Sequence, residues 1–241
     1  MPRPRVHDLD RLLDVAEQLV ADGGPERFTV RALATAAGVS NGVIYHAFGS
    51  LPVLLGRLWL RAAGDFLDLQ VELADAVQGG DREAAVEAVA AVASAPAVFA
   101  DRRPAAARML VAVRRDQLLG PEVPQELAEE MFALDKRLVA LLTRLSRALW
   151  DRADGASVEV VTLCVVDLPT AVFRRALAGP TADGWPEIGA DSRERLKAAV
   201  RAVLALPPPP SPTPSSPSGR PTGRAAGPVT SVRRPGRRPS G

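Results

Sequence analysis

Apolar residues recur at spacings of three and four along most of the chain, and no stretch alternates convincingly with period two. The pattern therefore predicts an all-α protein. Leu9, Leu12, Leu13, Ala16, Leu19 and Val20 fall on one face of a first helix, from about Asp8 to Ala21. Asp8 and Asp10 suit the positive end of its dipole, and Gly23-Gly24-Pro25 stops it. Thr29 then caps a short helix whose apolar face is Val30, Leu33 and Ala34. Gly38 can take the positive φ of a tight turn, and Ser40 caps a second short helix carrying Val43, Ile44 and Phe48 inward. Ser50 caps a longer helix over 51–69, with Pro52 tolerated in its first turn. Further helices are expected over 82–94, 104–119, 124–150, 156–177 and 191–206, separated by Gly79-Gly80, Gly120-Pro121, Gly155 and Gly179-Pro180. Pro169 should kink the penultimate helix or end it locally, and Asp191 with Glu194 reads as a capping box for the last.

Two short helices joined by a glycine-containing turn form a helix-turn-helix unit, so the chain divides into a head at 1–50 and a helical body at 51–206. After Leu206 the character changes. Residues 207–241 hold eleven of the 22 prolines amid Ser, Gly and Arg, too little apolar surface to offset the entropy of ordering, so a disordered basic tail is expected. Residues 206–241 also contain six arginines and no acidic residue, so the rest of the chain carries −4 against the +2 of the whole. The alkaline pI is thus partly a property of the tail, and the head itself has five arginines against six acids. With 4% aromatics the core must be built mainly from Leu, Val and Ala. Cys164, the single cysteine, sits in an apolar helical pattern and reads as a small buried hydrophobe. No run of about 18 uninterrupted apolar residues occurs, and no signal core follows the basic start, so the sequence reads as cytoplasmic, with no membrane partner.

The most informative residues lie between Phe28 and Leu55. They comprise Phe28-Thr29-Val30-Arg31-Ala32-Leu33-Ala34, Ala36-Ala37-Gly38-Val39-Ser40, Gly42-Val43-Ile44-Tyr45, Phe48-Gly49-Ser50 and Leu54-Leu55. In order and spacing this stretch resembles the TetR family of bacterial regulators, and the first helix fits as well. Ala47 and Leu51 depart from it: the family commonly has His and Lys there, the latter a phosphate contact. The physical reading agrees with the resemblance. Ser40 and the N-terminus of its helix can offer donors to a phosphate, Asn41 can reach base edges, Gly42 removes bulk where DNA approaches, and Val43 could touch a thymine methyl. Tyr45, by its counterpart in the family, is a phosphate donor. Thr29 can add a phosphate contact to its cap, and Arg31 and His46 complete the candidate set. Arg3 and Arg5, ahead of the first helix, could enter a minor groove as a basic arm.

The resemblance implies a sequence-specific regulator, a repressor released from a palindromic double-stranded operator by a small effector, acting as a homodimer. Val158, Val161, Val165, Leu168 and Val172 repeat at three and four and suit a helix-packing seam between subunits, as do Leu196, Val200 and Val203; packing inside one subunit is the other reading. Met109, Val113, Phe132 and Trp150 are candidate walls of an apolar effector cavity, against the plainer reading as core. No phosphate loop, metal-ligand spacing or nucleophile with a base is present, so no enzyme, cofactor or metal is expected. A dimeric module that binds a ligand or protein, with a weakened DNA-binding head, remains open as the alternative.

Overall fold

The computed structural model describes residues 6–113, 118, 124–178, 188–208 and 210. Among these residues every regular element is helical: α1 (Val6–Gly23), α2 (Val30–Ala37), α3 (Asn41–Phe48), α4 (Leu51–Asp75), α5 (Arg82–Ala93), α6 (Ala95–Arg102), α7 (Pro104–Ala112), α8 (Gln125–Trp150), α9 (Gly155–Thr162), a π-helical turn (Leu163–Asp167), α10 (Leu168–Ala178) and α11 (Ala190–Ala205). Arg3, Arg5 and residues 211–241, the bulk of the expected tail, lie outside the described residues.

The head forms as its caps dictate. Thr29 Oγ1 accepts from the Ala32 amide at 3.1 Å, and Gly38 closes α2 at φ 69°, where its own N–H returns to the Ala34 and Thr35 carbonyls. Ser40 holds the N-cap position of α3 in extended backbone but makes no capping bond, so its expected cap is backbone geometry alone. Ser50 Oγ accepts from the Val53 amide at 3.4 Å and starts α4. Ile44 is buried and Phe48 half-buried, whereas Val43, expected inward, is exposed. A helix of eight residues has one inward stripe, and Ile44 occupies its centre.

Helix α4 runs six residues past its expected end, because no breaker occurs before Gly79 and acids along it pair with α8. Arg137 bonds Asp68, and Arg144 Nη1 donates to Asp75 Oδ1 at 2.8 Å. Both pairs are 69 residues apart, so α4 and α8 run parallel. Near the start of α4, Gly56 lets α8 come close: a Cβ there would overlap Leu127 Cδ2. Helix α6 was not expected; Pro96 stands in its first turn, where a missing N–H is harmless. Helix α7 ends at Ala112 rather than at 119, since Val113 turns extended (φ −95°, ψ 111°) with its side chain buried.

The penultimate helix widens just before Pro169: the Leu168 N–H reaches the Leu163 carbonyl five residues back. From Gly155 to Arg174 this helical stretch has a mean hydropathy of 1.7, and by length and composition alone it could cross a membrane. The capping box expected at Asp191 is absent. Gly189 occupies the N-cap of α11, and Asp191 accepts from Arg195 Nε at 2.7 Å within the helix. The last helix is tied to the body by Arg193, bidentate to Asp101 at 2.7 and 2.8 Å, by Arg82 Nη2 donating to the Leu204 carbonyl at 2.7 Å, and by Arg201 to Glu87.

Candidate nucleic-acid interface and the cavity behind it

Gly38 and the caps of α2 and α4 fix how α3 is presented. Thr29, Arg31, Ser40, Asn41, Gly42, Val43, Tyr45 and His46 are all exposed, confined to α3, its N-cap and the start of α2. Tyr45 is 54% exposed and Val43 41%, unusual for an aromatic and a branched apolar side chain next to a buried Ile44. Ser40 leaves its hydroxyl unused beside the free N–H groups of the α3 N-terminus. The face offers hydroxyls, an amide, an imidazole and two apolar contacts, with Arg31 its charged group. Leu51, at the position where the resemblance has Lys, is half-buried against the core.

Behind the head, one buried carboxylate joins three parts of the molecule. Glu17 on α1 is 6% exposed. Arg61 of α4 donates to it at 3.0 Å, and Arg103, at the junction of α6 and α7, does so at 3.3 Å. Arg61 also holds Asp14 at 2.8 Å, and Arg103 bonds Asp65. Burial alone would pull the Arg103 guanidinium below its ordinary pKa; Glu17 and Asp65 together outweigh it and leave it raised.

Two adjoining cavities open in the body, of about 470 and 320 Å3. They share Phe66, Pro96, Leu110, Pro169 and Thr170, so α4, α6, α7 and α10 all contribute. Phe66 meets Phe99 edge to face, ring centroids 5.4 Å apart. None of the four expected wall residues lines either cavity. Met109 and Val113 are buried in solid core, Phe132 is 57% exposed on α8, and Trp150 is half-buried with its indole N–H unpartnered among the described residues. Large apolar residues mark a helix's inner face, but which faces abut a void depends on tertiary packing.

The residues of the expected subunit seam divide by burial within the single subunit. Val161, Val165, Leu196 and Val200 are buried inside the subunit, and Val158, Leu168, Val172 and Val203 pack half-buried against the same core. The face left outward on 155–174 includes Leu163, 38% exposed, with Val166 beside it half-buried.

The family model described as bacterial regulatory proteins, tetR family, matches residues 12–55. No curated protein matches the chain in sequence. Among solved structures, a TetR-like transcriptional regulator from Rhodococcus sp. RHA1 superposes with a TM-score of 0.57 at 20% identity, over 85% of this chain and 99% of its own. The TetR family transcriptional regulator PfmR from Thermus thermophilus gives 0.56 at 20% identity, over 81% and 97%. The fatty acid degradation regulator FadR from Bacillus halodurans gives 0.56 at 18% identity, over 81% and 97%. The head thus matches the tetR family model over residues 12–55, and the described length of the chain shares the fold of solved TetR-family regulators.

Proposed function

We propose that the protein is a sequence-specific transcriptional regulator, a repressor that reads a palindromic operator through the head at 1–50 and is released by a small apolar effector held in the body at 51–206. The observation that carries it is the α3 surface, where Tyr45 and Val43 stand exposed beside an unused Ser40 hydroxyl on a helix fixed by Gly38 and Ile44. Side chains of that kind on a helix that fits a major groove supply phosphate positioning and base contacts together. Thr29, Arg31, Asn41, Gly42 and His46 share that exposed surface. A protein working on operator DNA works in the bacterial cytoplasm.

Two copies would place two such helices on half-sites about one DNA turn apart. Support for a homodimer comes from the stretch Gly155–Arg174, only 33% of which is buried although its mean hydropathy is 1.7. Glu159 and Asp167 stand exposed along it, which suits a protein partner better than a bilayer core. The pairing face is the outward one around Leu163, not the valine seam spent on the core.

The effector cavity is the pair of voids lined by Phe66, Leu110 and Pro169. An effector there releases DNA only if it binds the DNA-incompetent arrangement more tightly. The test is operator selection from a random DNA pool at low and moderate salt. Enrichment of a palindrome, lost in Tyr45→Ala, supports the reading. No enrichment, with a dimer retained, favours the second reading, a binding module whose head is weakened at Leu51.

A further inference from the structure

We propose that the larger cavity takes an uncharged, mainly apolar molecule bearing one hydroxyl or primary amide group, and that Gln70 is the residue that selects it. This rests on the cavity being the effector site, and it adds the chemical class of the occupant. Trp59, Ala63, Phe66 and Gln70 follow one another at spacings of four, three and four, so a single stripe of α4 faces the void. Three of the four are apolar. Gln70 is not, yet as a residue it is only 3% exposed, it lines the void, and it makes no side-chain hydrogen bond to a described residue. Its amide opens onto the void, where water can hold it, so a molecule that displaces that water from an otherwise apolar wall must replace its hydrogen bonds.

The helix that contributes Val165 and Pro169 to this lining carries a second set of polar atoms. The Leu168 N–H is spent on the Leu163 carbonyl, and Pro169 has no N–H. The Cys164 carbonyl therefore finds no helical donor at either of its usual positions, and the Val165 carbonyl loses the donor four residues on. Val165 and Pro169 both line the cavity. Widened turns of this kind recur at functional sites. Gln70 offers a donor and an acceptor, the π-turn offers acceptors, and a group that both gives and takes hydrogen bonds satisfies the pair. A hydroxyl or a primary amide does so without charge. Charged heads fit less well: Asp135, the charged residue of this lining, already has a partner, so neither a carboxylate nor a cation meets an unpaired counter-charge there.

The test uses one scaffold with five head groups: 2-phenylethanol, phenylacetamide, ethylbenzene, phenylacetate and 2-phenylethylamine. Binding to the full chain is read without DNA, by titration calorimetry and by the change in tryptophan fluorescence that is lost in a Trp59→Phe variant. The alcohol and the amide should bind about tenfold more tightly than ethylbenzene and the two ions, the worth of one good hydrogen bond. Gln70→Leu should erase that preference while ethylbenzene binds as well as before or better. Gln70→Met, closer in shape, repeats the comparison if circular dichroism shows the leucine variant misfolded. Gln70→Glu should move the preference to the amine. The proposal is overturned if Gln70→Leu keeps the preference, if an ion binds best, or if none of the five binds. A Gln70-dependent preference with no effect on operator affinity would sink effector release and leave this inference standing.

Discussion

Replacing Glu17 by glutamine keeps the side chain's size and its capacity to accept hydrogen bonds but removes its charge. Its carboxylate has only 8% of its side-chain surface exposed and is shared by Arg61 (20%) and Arg103 (38%). Exposed ion pairs are worth about 0–1 kcal/mol, whereas breaking a fully buried pair costs about 3–5 kcal/mol because a charge is stranded. Glu17 lies toward the buried limit, but neither arginine is stranded on its loss, since Asp14 still holds Arg61 and Asp65 still holds Arg103. Arg103's exposure lowers its share further. The two effects place the cost at about 2 kcal/mol, roughly 30-fold in the folding equilibrium and a fall of roughly 4–8 °C in melting temperature. Chemical denaturation of wild type, Glu17→Gln, Arg103→Gln and the double variant measures both the cost and the coupling. Contacting charges should show a coupling of at least about 0.5 kcal/mol. A Glu17→Gln variant within about 0.5 kcal/mol of wild type, or additive single variants, would show that solvent screens this carboxylate despite its burial.

Gly38→Ala should destabilise the head by about 1–2 kcal/mol, because residue 38 sits at φ 69° with open space around it, leaving backbone strain as the whole penalty; equal stability in a urea melt would refute this. Asp154 caps α9 and accepts from Arg152 Nε at 2.7 Å, and that hydrogen bond is the main cause holding its carboxyl at about 2 instead of 3.8. Its stabilising effect is present above about pH 4 and lost as pH falls toward 2, so Asp154→Asn should flatten the acid limb of a stability profile in that window and nowhere else. Burial pushes the Cys164 thiol up to about 11. A thiol reagent at pH 8 should label it only as fast as the protein opens, and rapid labelling of the native protein would place the side chain elsewhere.

The head was legible because its signals are local. Thr29 and Ser50 cap through bonds three residues away, and Gly38 is needed for a backbone angle, so neither depends on what packs behind. Helix α6 escaped notice because Pro96 reads as a break in any window centred on it, although in a first turn it is none. The stop at Ala112 has no local mark: periodicity continues past it, and only the burial of Val113 in extended backbone ends the helix. The π-turn stands next to Pro169, but a proline alone does not say whether a helix kinks, ends or widens there.

The two sites proposed in the body are harder to read for a reason that periodicity itself supplies. A regular stripe of valines is what a helix core demands, so the most regular face, Val158-Val161-Val165, is the one the subunit keeps for itself. The outward face is recognised only by subtraction, as apolar residues left over once the core is filled, as Leu163 is. The same holds for a void. Bulk picked out Met109 and Phe132, yet bulk fills space, and a cavity persists where facing residues fail to meet. What sequence does show at such a place is a conflict. In the stripe Trp59-Ala63-Phe66-Gln70 the period demands an apolar fourth residue and the chain supplies an amide, a mismatch visible without coordinates. A polar residue on the apolar period of a long helix is therefore a better pointer to a ligand wall than any large hydrophobe.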